Sequence, residues 1–148
     1  MAEITKFDDI IYIRDAIARF EASESEREAL SDAYDEAEEG TQCEANARAA
    51  LDDWREGEEG EEFAALRELL VDCEGNGGDE QWRGEWYPVT LIRCTYFKEY
   101  AQELAEECGM IQKEVKWPYT CIDWDHAARE LLMDYTTISF NGVDYHCR

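Results

Sequence analysis

Acidic residues crowd the first 85 positions of this chain. They number 27 against 8 lysines and arginines, whereas residues 86–148 hold 10 against 6. Whatever the first region folds into must keep most of those carboxylates in water, because an unpaired buried charge is very costly. The region is nevertheless not a structureless acidic tail. Ile10, Ile13, Ile17 and Phe20 recur at 3/4 spacing, and so do Leu30, Tyr34 and Ala37, which is the pattern of a helix with one apolar stripe. Ser25 and Glu28 match a capping box that would restart a helix, but one continuous helix from about Asp9 to Glu39, stopped by Gly40, is the preferred reading.

Two shorter helices follow by the same argument. Cys43, Ala47, Ala50, Leu51 and Trp54 share a face that closes at Gly57, and Phe63, Leu66, Leu69, Leu70 and Cys73 share one that closes at Gly75. Between them lies "WREGEEGEEF", whose two glycines each disfavour helix by about 1 kcal/mol. A turn is expected there, with a kinked continuous helix as the alternative. The stretch "EGNGGDEQ", residues 74–81, reads as the linker between an acidic helical region, 1–78, and a second domain, 79–148.

The second half reads as α+β. Trp86 to Arg93 suits an extended segment. Tyr96, Phe97, Tyr100, Ala101, Leu104, Ala105 and Cys108 make a helical stripe, with Thr95 as N-cap and Gly109 as stop. Pro118 makes "KEVKWPYTCI" an ordered loop. Asp123 caps a helix through Leu132. Ile138 and Phe140, then Asn141-Gly142, then Val143, Tyr145 and Cys147 read as a hairpin on a type I′ turn, with His146 facing outward. The fold class is therefore α+β: a long acidic helix and two shorter ones, then a small α+β domain ending in a β-hairpin.

Composition narrows the function. The chain has 148 residues, is 45% hydrophobic and carries a formal charge of −23. That charge opposes direct binding of nucleic acid or an anionic membrane and favours a basic partner. The first ten residues lack the pattern of a secretory signal, and no apolar run is long enough to span a membrane, so the expected compartment is the cytoplasm. The six cysteines show no C-x-x-C pair and are read as reduced thiols, mostly filling the core. Trp82, Trp86 and Trp117 are read as core and lid of the second domain, with a partner-binding surface as the alternative.

No motif of a phosphate cradle, nucleophile elbow or zinc protease is present, so no catalytic residue, metal or cofactor is expected. His126 and Glu130 fit an i,i+4 surface pair. "EGEEGEE" lacks the D-x-[DN]-x-[DN]-G order of a calcium loop. What remains is the helical carboxylate surface: Asp32, Asp35, Glu36, Glu38, Glu39, Asp52, Asp53, Glu56, Glu58, Glu59, Glu61 and Glu62 are the expected partner-binding residues. Duplex DNA carries one charge per about 1.7 Å of axis, and carboxylates fixed on helices can offer a comparable pattern to a basic groove.

The stretch "CIDWDHAARELLMDYTTISFNGVDYHCR" resembles the closing segment of the ArdA-type antirestriction proteins. The matching residues are Asp123, Trp124, Ala128, Arg129, Asp134, Tyr135, Gly142, Tyr145 and Arg148, and the helix "YFKEYAQELAEECG" extends the likeness to about residues 91–148. In place of that family's N-terminal α/β domain this chain has its acidic helical region. The resemblance implies a non-enzymatic, dimeric mimic of B-form DNA, made by a phage or mobile element, that occupies the DNA groove of a type I restriction-modification enzyme. The alternatives are an anti-CRISPR protein in the DNA channel of an interference complex, and a phage adaptor that binds through its aromatic C-terminal domain.

Overall fold

In the computed structural model, which describes residues 3–111 and 116–148, the chain is α+β and divides into two compact units. Of the described residues, one comprises Glu3 and Arg14–Asp72. The other comprises Ile4–Ile13 and Cys73–Arg148. The division thus falls near Cys73 rather than after residue 78, and the segment Ile4–Ile13 groups with the C-terminal part of the chain.

The first unit is helical: α1 (Ile13–Glu36), α2 (Gln42–Glu56) and α3 (Glu58–Cys73). Helix α1 runs without a break through "EASESERE", as preferred from its sequence. The capping box lies elsewhere. The Thr41 side chain accepts from the Glu44 amide at 3.3 Å, and the Glu44 carboxylate accepts from the Gly40 amide at 2.6 Å. These bonds satisfy amides that no helical carbonyl can reach.

The α2–α3 junction departs from the expected turn. Helix α2 is capped at Gly57, and α3 begins on the next residue, so "GEEG" forms a one-residue corner with Glu58, Glu59 and Glu61 in the first turn of α3. Negative charge is favoured there by the helix dipole. The corner is tight enough to specify glycine. A Cβ on Gly60 would lie 2.2 Å from the carbonyl oxygen of Arg55 and 2.8 Å from that of Trp54.

Phe63 holds the helices together. Its ring stacks on Phe20 of α1 at 4.9 Å and meets Trp54 of α2 at 5.6 Å, while the Arg27 guanidinium sits 5.1 Å from its centroid. Phe20, Leu51, Trp54, Phe63, Leu66 and Leu69 are all buried. Beside this cluster Arg19 pairs with Glu62 through two bonds, 2.5 Å from Nε and 3.0 Å from Nη2.

The second unit contains a four-stranded antiparallel sheet in the order β1-β4-β6-β5, built from β1 (Ile10–Tyr12), β4 (Thr90–Arg93), β5 (Thr136–Phe140) and β6 (Val143–Cys147). A separate hairpin pairs β2 (Asp79–Trp82) with β3 (Glu85–Tyr87). Strand β1 replaces the first turn of the expected long helix. Four consecutive β-branched or aromatic residues, Ile10 to Ile13, suit a strand, and β4 supplies the partner, with Ile10 opposite Ile92 and Ile11 opposite Leu91. The "EGNGGDEQ" stretch is likewise not a slack linker. Gly78 has φ +69, and a Cβ there would fall 1.8 Å from the Tyr87 carbonyl oxygen, so the chain is packed at this turn.

Helices α4 (Phe97–Glu107) and α5 (Trp124–Leu132) pack together around Phe97, Ala101 and Ala128, joined by Ile92 of β4. Asp123 caps α5 as expected, accepting from the His126 amide at 3.1 Å. The α4 start differs. A 3₁₀ turn over Cys94–Tyr96 precedes it, and Thr95 makes no cap because the residue before α4 is Tyr96. The terminal hairpin has the expected register, with Asn141 at φ 49 and Gly142 at φ 78, both in the left-handed region that a type I′ turn requires. Of the "KEVKWPYTCI" loop, residues 113–115 lie outside the described residues, and Tyr119–Cys121 form a 3₁₀ turn.

Replacing Gly60 by alanine separates propensity from packing. Inside a helix the change ordinarily gains about 1 kcal/mol, but here the added methyl meets backbone. We expect a net loss of about 1–3 kcal/mol, read as a lower urea midpoint. A raised midpoint would mean that the corner is not built this way.

Candidate functional site

Residues 14–72 carry 20 carboxylates and 6 positive side chains, every one an arginine. Eleven of the twelve carboxylates singled out from the sequence are exposed: Asp32, Asp35, Glu36, Glu38, Glu39, Asp52, Asp53, Glu56, Glu58, Glu59 and Glu61. Glu62 is half-buried and engaged by Arg19, and this contact raises the pKa of the Arg19 guanidinium above its ordinary value. Glu62 therefore belongs to the scaffold that holds α1 to α3.

An uninterrupted α1 adds Glu21, Glu24 and Glu28, which were not among the expected partner-binding residues, in line with Asp32 and Asp35. Glu21, Glu24, Glu28, Asp32 and Asp35 follow each other at three- and four-residue steps, Glu24 half-buried and the other four exposed. That spacing lines them along one face, with axial steps of about 4.5–6 Å at 1.5 Å per residue. The 24 residues of α1 extend about 36 Å by the same rise. The same 3/4 test that finds apolar stripes finds this acidic one.

The arrangement works against helix stability. Like charges at i,i+4 cost about 0.2–0.5 kcal/mol per pair. Carboxylates at a helix C-terminus oppose the macrodipole, yet α1 ends in Asp35 and Glu36 with no basic residue in its last turn. Folding does not require such placement.

The second unit holds a different arrangement. His146 was expected to face outward, but it is buried at 4% exposure. Strand β6 lies between β4 and β5, and its last three residues are covered on both faces. On one face Phe97 of α4 meets the His146 ring edge-on at 5.2 Å. On the other, the Tyr145 hydroxyl donates to the Asp8 carbonyl at 3.0 Å. Both nitrogens of His146 are engaged: Nε2 lies 3.0 Å from Cys94 Sγ and Nδ1 lies 3.0 Å from Thr137 Oγ1. Thr137 stands directly opposite His146 in the β5–β6 register. Burial lowers the pKa of His146 from its ordinary 6.5, partly offset by the charge of Asp144.

The cysteines are free thiols but are mostly not core fillers. Cys73 and Cys147 are buried, while Cys43, Cys94, Cys108 and Cys121 are exposed. Burial pushes the Cys147 thiol up to about 11, which favours its neutral form. Cys94 instead lines an open cavity of about 400 Å³ together with His146, Phe97 and Leu132. Nothing local in the sequence marks this pair, because Cys94 and His146 meet only through the β4–β6 pairing.

The tryptophans are also not the expected core. Trp86 is 54% exposed and Trp117 80%, while Trp82 is half-buried under the Arg83 guanidinium at 4.0 Å. Short strands and turns carry all three, which leaves little structure to cover them. His126 and Glu130 form the exposed pair expected, 3.1 Å apart. Among the described residues, no cluster of three or more His, Cys, Asp or Glu is placed to hold a metal ion, and no helix is long and apolar enough to cross a membrane.

Comparison with protein-family models, curated proteins and solved structures gives no match.

Burial of His146 has a pH signature. The unfolded chain's imidazole titrates near 6.5 and takes up a proton more readily than the folded one. The contribution of this group to stability is therefore complete above about 6.5, and it is lost as pH falls through that value toward the lower folded-state pKa. Relief of carboxylate repulsion acts in the opposite sense but is common to any variant. Comparing the native chain with His146→Gln between about pH 7.5 and 5.5, thermal midpoints should fall more steeply for the native chain. Parallel curves would contradict a desolvated His146.

Proposed function

We propose that this chain is a non-enzymatic inhibitor that imitates the charge of duplex DNA. Its target is a basic, DNA-handling host defence protein, in the first place a type I restriction-modification enzyme. The observation that carries this reading is the acidic face of the helical unit. Five carboxylates, four of them exposed, are aligned along the continuous α1 helix, within residues 14–72 of net charge −14. Over the length of α1, about 36 Å, a duplex presents about 21 charges. The helical unit thus offers roughly two-thirds of the charge of a duplex along that axis.

The plainer alternative is acidity for solubility. Solubility is satisfied by charge placed anywhere on the surface. It gives no reason to line carboxylates along one helix face or to gather them at a helix C-terminus, where they cost stability. A groove shaped for phosphates gives that reason. The likeness of residues 91–148 to the closing segment of ArdA-type antirestriction proteins points to the same class, with a homodimer as the implied assembly. An interference complex with a basic DNA channel is the closest alternative target.

One observation favours a second reading. Trp86 and Trp117 are exposed, and large exposed aromatics are common anchors in protein interfaces. In that reading the chain is an adaptor bound through its α+β unit, and DNA is irrelevant.

Competition separates the two. With a type I restriction-modification enzyme at fixed concentration, added duplex should relieve inhibition, and the apparent inhibition constant should rise in proportion to DNA concentration. The chain itself should bind no duplex. Inhibition that is insensitive to DNA would reject mimicry.

Charge gives an independent check. Binding should weaken steeply with salt, since charges beyond about 8 Å are screened at physiological ionic strength. Changing Glu58, Glu59 and Glu61 together to glutamine should weaken binding several-fold and leave the fold intact, because Glu62 and its Arg19 contact are untouched. Undiminished binding would remove the α2–α3 corner from the site.

A further inference from the structure

We propose that Cys94 is a nucleophilic thiol, with His146 as its proton acceptor, that exchanges with small anionic disulfides entering the cavity beside it. Three observations carry this. The Cys94 sulfur is 3.0 Å from His146 Nε2, and the other ring nitrogen is held at 3.0 Å by Thr137 Oγ1. Cys94 is exposed while its partner is buried, so the imidazole is fixed and the sulfur is reachable. The pair opens on a cavity of about 400 Å³ walled by Phe97, Ala128 and Leu132.

The hydrogen-bond chain has one assignment that suits the chemistry. Cys94 S–H donates to Nε2 of the neutral ring, and Nδ1–H donates to Thr137 Oγ1. Burial keeps the resting ring neutral, so the Nε2 lone pair faces the thiol proton at 3.0 Å and is in place to receive it when sulfur attacks. A nucleophile, a proton acceptor and an orienting third group form the constellation of an activated cysteine.

The cavity also differs in charge from the rest of the chain. Lys98, Asp125 and Arg129 line it, and Lys98 Nζ lies 3.3 Å from Asp125 Oδ1. The lining is therefore net positive by one charge in a chain of net −23. Asp144 is the further carboxylate acting on His146. A ligand with an apolar body and one negative group fits this lining.

Disulfide exchange needs only the groups present. The Cys94 proton moves to Nε2 and the sulfur electron pair forms a new S–S bond. The S–S bond of the reagent breaks, and its departing thiolate takes the proton back from His146. The products are a mixed disulfide on Cys94 and one free thiol, with the incoming disulfide as oxidant.

The native chain carries its own controls, since Cys43, Cys108 and Cys121 are also exposed. The probe is dithiobis(nitrobenzoate), an anionic aromatic disulfide, with acid quenching and peptide mapping by mass spectrometry. Cys94 should react roughly tenfold or more faster than each of the other three. Its advantage should shrink with neutral dithiodipyridine. Thr137→Val, close in shape, should slow Cys94 several-fold and leave the other thiols unchanged. Equal rates at all four exposed thiols would overturn the proposal. An undiminished advantage with the neutral reagent would overturn the anion seat, and an unaffected Thr137→Val variant would overturn the role of His146.

Discussion

The helical unit depends on the ring of Phe63. Residues 14–72 carry a net charge of −14, and like unit charges about 4 Å apart would repel by about 1 kcal/mol even in water. Against this stands one aromatic cluster: Phe63 stacked on Phe20, tilted against Trp54 and covered by Arg27. Burying each such side chain contributes about 1.5–3 kcal/mol, and the Arg19–Glu62 pair fixes the register beside it. The cluster makes the acidic surface a fixed pattern rather than a repelling brush. The carboxylates can act together as a pattern because that scaffold fixes them.

The α+β unit has a different dependence. Strand β6 is central, and at its C-terminal end both faces are covered, so Tyr145, His146 and Cys147 are buried in succession. This placement turns His146 from a surface residue into a desolvated one held by Thr137. It also brings the ring against Cys94, which follows directly on the last residue of β4. The unit thus combines a buried thiol held neutral, Cys147, with an accessible one beside a base.

Local signals were legible in the sequence. Asn141-Gly142, the Asp123 cap and Gly57 each act through their own backbone conformation or their nearest neighbours, and each stands where the sequence puts it. Non-local signals were not. Ile10 to Tyr12 obeys helical spacing as well as strand propensity, and its partner strand, beginning at Thr90, decides between them. Trp86 and Trp117 are hydrophobic enough to suggest a core, but short strands and turns leave them exposed. For the candidate site, the carboxylates on the exposed faces were legible because charge must stay in water. The aligned stripe from Glu21 to Asp35 was open to the same spacing test as the apolar one, whereas the structural role of Glu62 follows only from the packing of α3 on α1.

The central claim is that the acidic helices, not the α+β unit, meet the partner. Amide hydrogen exchange on the full chain, free and in complex with a type I restriction-modification enzyme, tests it most directly. The account predicts added protection along α1, α2 and the α2–α3 corner, and little change around Trp86 and Trp117. Protection confined to the α+β unit, with α1 exchanging as in the free chain, would contradict it.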